Sequence, residues 1–442
     1  MTPARRVRAL SIHADYGCRH SGACCTSGWA IPVEPEAEGR LRSALRSGTL
    51  RVPEHGDRVP PKAAPSEPSG CLRSVASLPH GAKVVLRTDQ AGRCVFFDPS
   101  LAPSGSCTVH RQIGEDALPS PCRHFPRVVT LSPLGVSVTL SHYCPTAAGM
   151  LFVDPRSVIP PGGEDSAGPR GSRDPALSIV ESPEAFPPEW PYEGLDARDA
   201  LPPLLRPGVL MDWPSLEHWE RFAVAVLAEE GLGPESALDV LATAAEEARR
   251  WTPAHGAFRP FFEGVLASSP RSASGDGGSA GTADSSGPLL PESLGPTRAW
   301  QLVADTIPQS AAALLSHGLR RGDLPQPSPA SFDEADQGWV APAWPALSLP
   351  IRRWLAAKAF ASWIALQGEG LRTTVAFLRV ALGVLRTEAA RGSAEASRVL
   401  DADLLMEAVR RADLLLLHLA DPEALARRIS RGETAERPSA AW

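Results

Sequence analysis

The sequence predicts a mainly α-helical protein: a loop-rich, metal-binding N-terminal domain with a few short strands, followed by a helical C-terminal half. Three observations carry this expectation. All eight cysteines lie in the first third of the 442 residues, between Cys18 and Cys144. Apolar residues recur at helical spacing in the last third. Between Pro155 and Pro214 there are 13 prolines, which interrupt regular structure and set the two parts off from each other.

At 43% hydrophobic residues the chain can bury the cores of two or three domains. Lys and Arg number 44 against 50 Asp and Glu, a net charge of -6, so no global basic field marks the chain for nucleic acid. The opening residues MTPARRVRALSIHADYG lack the apolar run of a secretory signal. The most apolar stretches, Val375–Leu385 and Leu414–Leu419, fall short of the roughly 20 residues a bilayer span needs, so no membrane partner is expected. A cytoplasmic location follows, where thiols stay reduced and clustered cysteines serve metals rather than disulfides. Residues 1–150 hold 17 basic and 11 acidic side chains, against 27 and 39 in the rest. Two regions of opposite sign are suited to dock on each other.

Read in order, residues 1–153 form the cysteine-rich domain, and KVVLRT and RVVTLSPLGVSVTL are its strand candidates. Residues 154–214 read as an extended, proline-rich connector on the surface. Residues 215–267 open a helical segment with Ser215 as candidate N-cap, continued by PESALDVLATAAEEARRW. Residues 268–296 begin with a Ser/Gly-rich run lacking apolar periodicity and read as a disordered insertion. Residues 297–432 carry the clearest helix, in which Leu371, Val375, Leu378, Leu382 and Leu385 form one apolar stripe. Arg372, Arg379 and Arg386 form another, expected to face solvent unless an acidic partner or phosphate occupies it.

The cysteines fall in three blocks, YGCRHSGACCTSGWAIPVE, GRCVFFDPSLAPSGSCTVHRQIGEDALPSPCRHFPR and SHYCPTAAG, with Cys71 outside them as a buried thiol. Thiolates must converge within about 2.3 Å of a zinc ion, and short loops bearing Gly17, Gly22, Gly28, Gly92 and Gly105 permit such turns. Arg123 and Arg127 flank Cys122 and favour its thiolate. No CxxC pair, CxxCxxC run or CxxxCxxC triplet occurs, which excludes zinc ribbons, ferredoxin runs and the familiar radical-enzyme motif. The donors therefore come from distant parts of the chain, and all-thiolate ligation suits zinc or an iron-sulfur cluster equally. His110, His124 and His142 lie two or three residues from a cysteine and are candidate ligands, although histidines so placed more often are neither ligands nor their supports.

Cys25 with Trp29, Ile113-Gly114-Glu115 with Leu118-Pro119, and Cys122-Arg123 with Phe125-Pro126-Arg127 together resemble the flagellin lysine-N-methylase family, within a broader cysteine-cluster group of zinc- or iron-chelating proteins. The match covers about residues 14–152, with a looser likeness over Ile351 to Arg391. The resemblance implies transfer of methyl groups from S-adenosylmethionine to surface lysines of a protein substrate, flagellin in the named family, by a protein carrying an iron-sulfur cluster of the 4Fe-4S type. Ser21 stands where the wider group has a cysteine, leaving Cys18, Cys24, Cys25, Cys94, Cys107, Cys122 and Cys144 as seven candidates for four ligand positions. A lysine with a pKa near 10.4 must lose its proton before attack. Asp98, Glu115 and Asp116 are the carboxylates within the blocks, though capping and surface roles are the commoner use of such residues. No GxGxxG follows a strand, so a methyl donor would bind outside a Rossmann site.

Overall fold

The computed structural model describes residues 5–53, 70–75, 84–89, 91–101, 105–153, 173–269, 294–308 and 328–432. The Ser/Gly-rich insertion falls, apart from its ends, outside the described residues. The protein is mainly helical, with its strands concentrated before residue 211.

The cysteine-rich region contains β1 (Val7–Leu10), α1 (Ala23–Thr26), β2 (Pro32–Val33), α2 (Pro35–Ser47), β3 (Leu72–Ser74), β4 (Val84–Leu86), β5 (Phe97–Asp98) and β6 (Ser106–Cys107). It continues with α3 (Thr108–Ile113), α4 (Ser120–His124), β7 (Arg127–Ser132), β8 (Gly135–Leu140) and α5 (Pro145–Met150). Both strand candidates form, as β4 and as the β7–β8 hairpin. Two strands then join from the proline-rich segment: β9 (Ile179–Glu181) and β10 (Leu195–Asp196) complete a five-stranded sheet in the order β10-β7-β8-β1-β9. The described part of the connector thus supplies both sheet edges. β1 lies parallel to β8, pairing Val7 with Val136, a contact no local pattern announces.

Alternation along VSVTL sorts the sheet into two faces. Val136, Val138 and Leu140 pack with Val7, Ala9, Val129 and Leu131 into an apolar core that includes Phe186 and Cys144. The other face is polar yet buried, with Arg8, Thr130, Ser137 and Thr139. It meets the helices, where Thr130 and Thr139 donate to the carbonyls of Ala361 and Ala357 at 3.2 and 3.3 Å.

After the short hairpin of β11 (Leu204–Arg206) and β12 (Val209–Leu210) come α6 (Trp213–Ala228), α7 (Pro234–Arg249), α8 (Phe258–Ser268), α9 (Pro296–Ala304), α10 (Pro329–Ala335), α11 (Ser348–Ala359), α12 (Leu371–Ala396), α13 (Ala402–Asp413) and α14 (Pro422–Gly432). The N-cap of α6 is Asp212, which accepts from the Ser215 N–H at 2.7 Å, rather than Ser215 itself. The Leu371–Leu385 stripe is buried as its period requires, but α12 is covered nearly all round by α7, α9 and α13. Its arginines face protein acids: Arg372 pairs with Glu246 at 2.5 Å, Arg379 with Asp239 at 2.8 Å and Arg386 with Asp336 at 2.7 Å. The stripe is therefore taken up within the molecule. Opposite charges also join the two regions, since Arg8 of β1 meets Glu220 of α6 at 3.0 Å and Arg6 meets Glu217 at 2.7 Å. Among the described residues no helix is long and apolar enough to cross a membrane.

Candidate metal centre

The three cysteine blocks converge. Cys24 and Cys25 sit on α1, their sulfurs 3.9 Å apart. Cys94 is tied to the same turn by its N–H, which donates to the Cys25 carbonyl at 2.7 Å. Cys107 ends β6, whose pairing with β5 sets Phe97 opposite it. Phe97 explains two of the glycines: a Cβ on Gly22 or Gly105, both at positive φ, would come within 2.6 or 2.3 Å of its ring. Cys122 lies on α4. Among the described residues no disulfide links any cysteine.

The electrostatics reflect this crowding. The Cys25 thiol is pushed well above the ordinary range by the adjoining thiols of Cys107, Cys24 and Cys94, reinforced by burial. The Cys107 thiol is lowered to about 7 by Cys25, with help from the N–H groups of His110 and Val109 at the start of α3. Burial, then Cys24, Cys94 and Cys107, raises Cys122 well above its ordinary value. This corrects the expectation that Arg123 and Arg127 favour its thiolate: Arg127 stacks on Trp190 at 4.3 Å, and Arg123 lines a surface cleft. The thiols of Cys24, Cys94 and Cys107 thus adjoin Cys25, with Cys122 within electrostatic reach of Cys24, Cys94 and Cys107, and the raised values keep Cys25 and Cys122 as neutral thiols unless a soft cation displaces their protons.

The other two candidates lie at the edge of this group, with Cys18 within electrostatic reach of both Cys24 and Cys144. Cys144 caps α5, with its sulfur 3.9 Å from the Tyr16 hydroxyl. Cys18 is exposed and lies with His20 and His110, the three ligand atoms all within 4.8 Å of one another. Cys71 is buried in the same apolar core as Cys25 and Cys94. Both ring nitrogens of His124 face backbone carbonyls, those of Ser120 and Pro191, at 2.9 and 2.8 Å. Asp98 caps a turn by accepting from Ser100, and Glu115 and Asp116 are exposed.

Sequence reasoning missed a buried polar chain beside this centre. His142 donates its backbone N–H to Asp413 at 2.6 Å, and its ring faces His13 at 3.2 Å. Asp413 also meets the Lys358 ammonium at 2.7 Å and accepts from the Trp354 indole at 2.8 Å. Burial lowers His142, His13 and Lys358. Burial alone would raise Asp413, but Lys358 and His142 hold it far below its usual range. One turn on, a π-helical segment (Leu414–Leu419) presents His418 to the Ser141 hydroxyl at 2.6 Å and to the Trp29 ring at 4.7 Å between centroids. Trp29, Phe125, Tyr143 and His418 form one aromatic cluster through which the first, second and third cysteine blocks meet the helical tail. The local traces of this chain are His142, a candidate through its closeness to Cys144, and Lys358 and Asp413, each beside an apolar stretch.

One opening adjoins the centre and a second reaches the buried polar chain. A cleft of about 950 Å³ is lined by Glu34, Glu36, Asp116, Arg123, Glu193 and Asp196, among others, and runs past both neighbours of Cys122. A cavity of about 200 Å³ lies between the sheet and the helices and reaches Lys358 and His418. No family model, curated protein or solved structure matches this chain.

Proposed function

We propose that this protein holds an iron-sulfur cluster with its N-terminal cysteines and acts as an S-adenosylmethionine-dependent protein lysine N-methyltransferase. The observation that carries the first part is the meeting of Cys24, Cys25, Cys94, Cys107 and Cys122 from four separate segments. Five thiols offer more than the four ligands a cluster takes, all of the soft type it prefers. Bound there, the cluster supplies the cross-link that loop-rich segments without disulfides need.

The methyltransferase part rests on the motif resemblance and draws support from the cleft beside Cys122. Its carboxylates Glu34, Glu36, Asp116, Glu193 and Asp196 give a rim that attracts an ammonium. Glu36 and Asp196 are shared with Arg40 and Arg198, whereas Glu34 and Glu193 are engaged by Ser120. Those four carboxylates already have partners, and exposed Asp116 is the remaining acidic side chain on the rim. A cytoplasmic setting would keep the thiols available to metal.

Anaerobic purification followed by iron, acid-labile sulfide and visible absorbance tests the cluster. Iron with matching sulfide and a band that bleaches on reduction is expected. A colourless protein whose thiols hold only zinc would favour a non-catalytic metal-binding module instead. Labelled S-adenosylmethionine mixed with host lysate tests the activity, and absence of label in every protein band with the cluster intact rules it out.

A further inference from the structure

We propose that Cys18, His20 and His110 form a second metal site, distinct from the five-thiol centre, that takes a single divalent zinc-like cation with one coordination position open to solvent. Their three ligand atoms lie within 4.8 Å of one another. Around tetrahedral zinc, with bonds of about 2.0–2.3 Å, neighbouring donors are roughly 3.3–3.6 Å apart, so closing on an ion needs only side-chain adjustment. His20 is at φ 54°, a left-handed conformation that histidine adopts more readily than most non-glycine residues. That turn brings its ring to 4.6 Å from the His110 ring and points its N–H at the Cys18 sulfur at 3.4 Å.

The donor type separates this site from its neighbour. One thiolate and two imidazoles suit zinc, while the adjoining all-thiol group suits an iron-sulfur cluster. Exposure differs too, since Cys18 is exposed while Cys25 and Cys94 are buried, although Cys18 stays within electrostatic reach of Cys24. Helix α3 links the two, with Cys107 at its N-cap serving one and His110 in its first turn serving the other. With Cys18 exposed and both histidines partly buried, three protein donors leave the fourth place to water or a substrate group, the arrangement of catalytic rather than structural zinc.

Metal analysis of the anaerobically purified full chain tests this independently of the cluster's identity. About one zinc is expected beyond any metal in the five-thiol centre. His20→Ala and His110→Ala should each lose that zinc while iron and sulfide stay at the wild-type ratio, and Arg111→Ala should change nothing. Cobalt added to iron-loaded wild-type protein should give the intense visible bands of a tetrahedral site with one thiolate, absent after Cys18→Ser. Wild-type protein with no such zinc, or histidine variants that lose iron and sulfide in step, would overturn the proposal. Should a variant misfold, the wild-type cobalt spectrum decides, because weak octahedral bands would exclude the site. If iron and sulfide are missing but zinc still depends on the histidines, the cluster reading fails and this one stands.

Discussion

Around α12, Val375, Leu378, Leu382 and Leu385 are enclosed by α7, α9 and α13 in a continuous apolar core that runs from α6 to α14. Around Cys25 the core is small, made of short strands and the residues of α2, and three of its members are cysteines. The first region can be held by burial alone, at about 25 cal/mol per Å² of apolar surface. The second cannot, since short loops leave too little apolar area to offset the entropy of ordering them. Its stability then depends on whatever joins its thiols.

Removing metal is therefore expected to have the largest effect and to act on one side only. Structural metals contribute on the order of 10 kcal/mol to small loop-rich domains. After chelation under reducing conditions, hydrogen exchange should rise sharply in α1, α3 and α4 and stay slow in α12. Equal acceleration in both regions would show that the helices depend on the metal as well. Cys122→Ser should reproduce this loss of metal, whereas Cys71→Ala should retain it.

The junction between the regions comes next. Asp413 is fully buried and answers Lys358 and His142, so Asp413→Asn leaves a buried ammonium without its counter-charge, at a cost of about 3–5 kcal/mol. Denaturant unfolding of the variant measures this, and replacing Lys358 by Met in the same chain should recover part of it. Leu382→Ala inside α12 should cost about 2–5 kcal/mol while metal content stays constant. A drop in metal content would mean that the two regions fold as one cooperative unit.

Acid should strike the same junction. An unfolded histidine titrates near 6.5. At His418 burial lowers this to about 4, with Asp413 opposing and Lys358 assisting. A group with a lowered folded pKa makes its full contribution above the unfolded value and loses it as pH falls, so about 3 kcal/mol should disappear between pH 6.5 and 4. His418→Gln should flatten that slope in a pH series of unfolding curves. The smallest effect belongs to the Arg379–Asp239 pair, whose carboxylate is largely exposed: Arg379→Ala should change stability by less than about 1 kcal/mol, and less still at high salt.

The legible parts of the sequence were those with short-range causes. Period 3.6 placed α12 and α7, alternation placed β7 and β8, and cysteine clustering marked out the region where the thiols gather, because in each case neighbouring residues carry the whole signal. The N-cap of α6 was off by three residues, since Asp212 and Ser215 are both sound caps and only backbone geometry chooses between them. The wet face expected for α12 was wrong because Arg372, Arg379 and Arg386 find partners on α7 and the segment after α10, which no local pattern reveals.

By itself, then, the amino-acid sequence determined the class of the fold, the helical core and the seven cysteines worth considering. Tertiary structure alone sorted those seven into five that meet, one that joins His20 and His110, and one that caps α5 beside Tyr16. It also turned the proline-rich segment into both edges of the sheet and brought Lys358, Asp413, His142 and His13 into one chain. The reason is distance along the chain. Helical and alternating patterns repeat within a few residues, whereas Cys18 meets His110 and His142 meets Asp413 only once the backbone between them has closed.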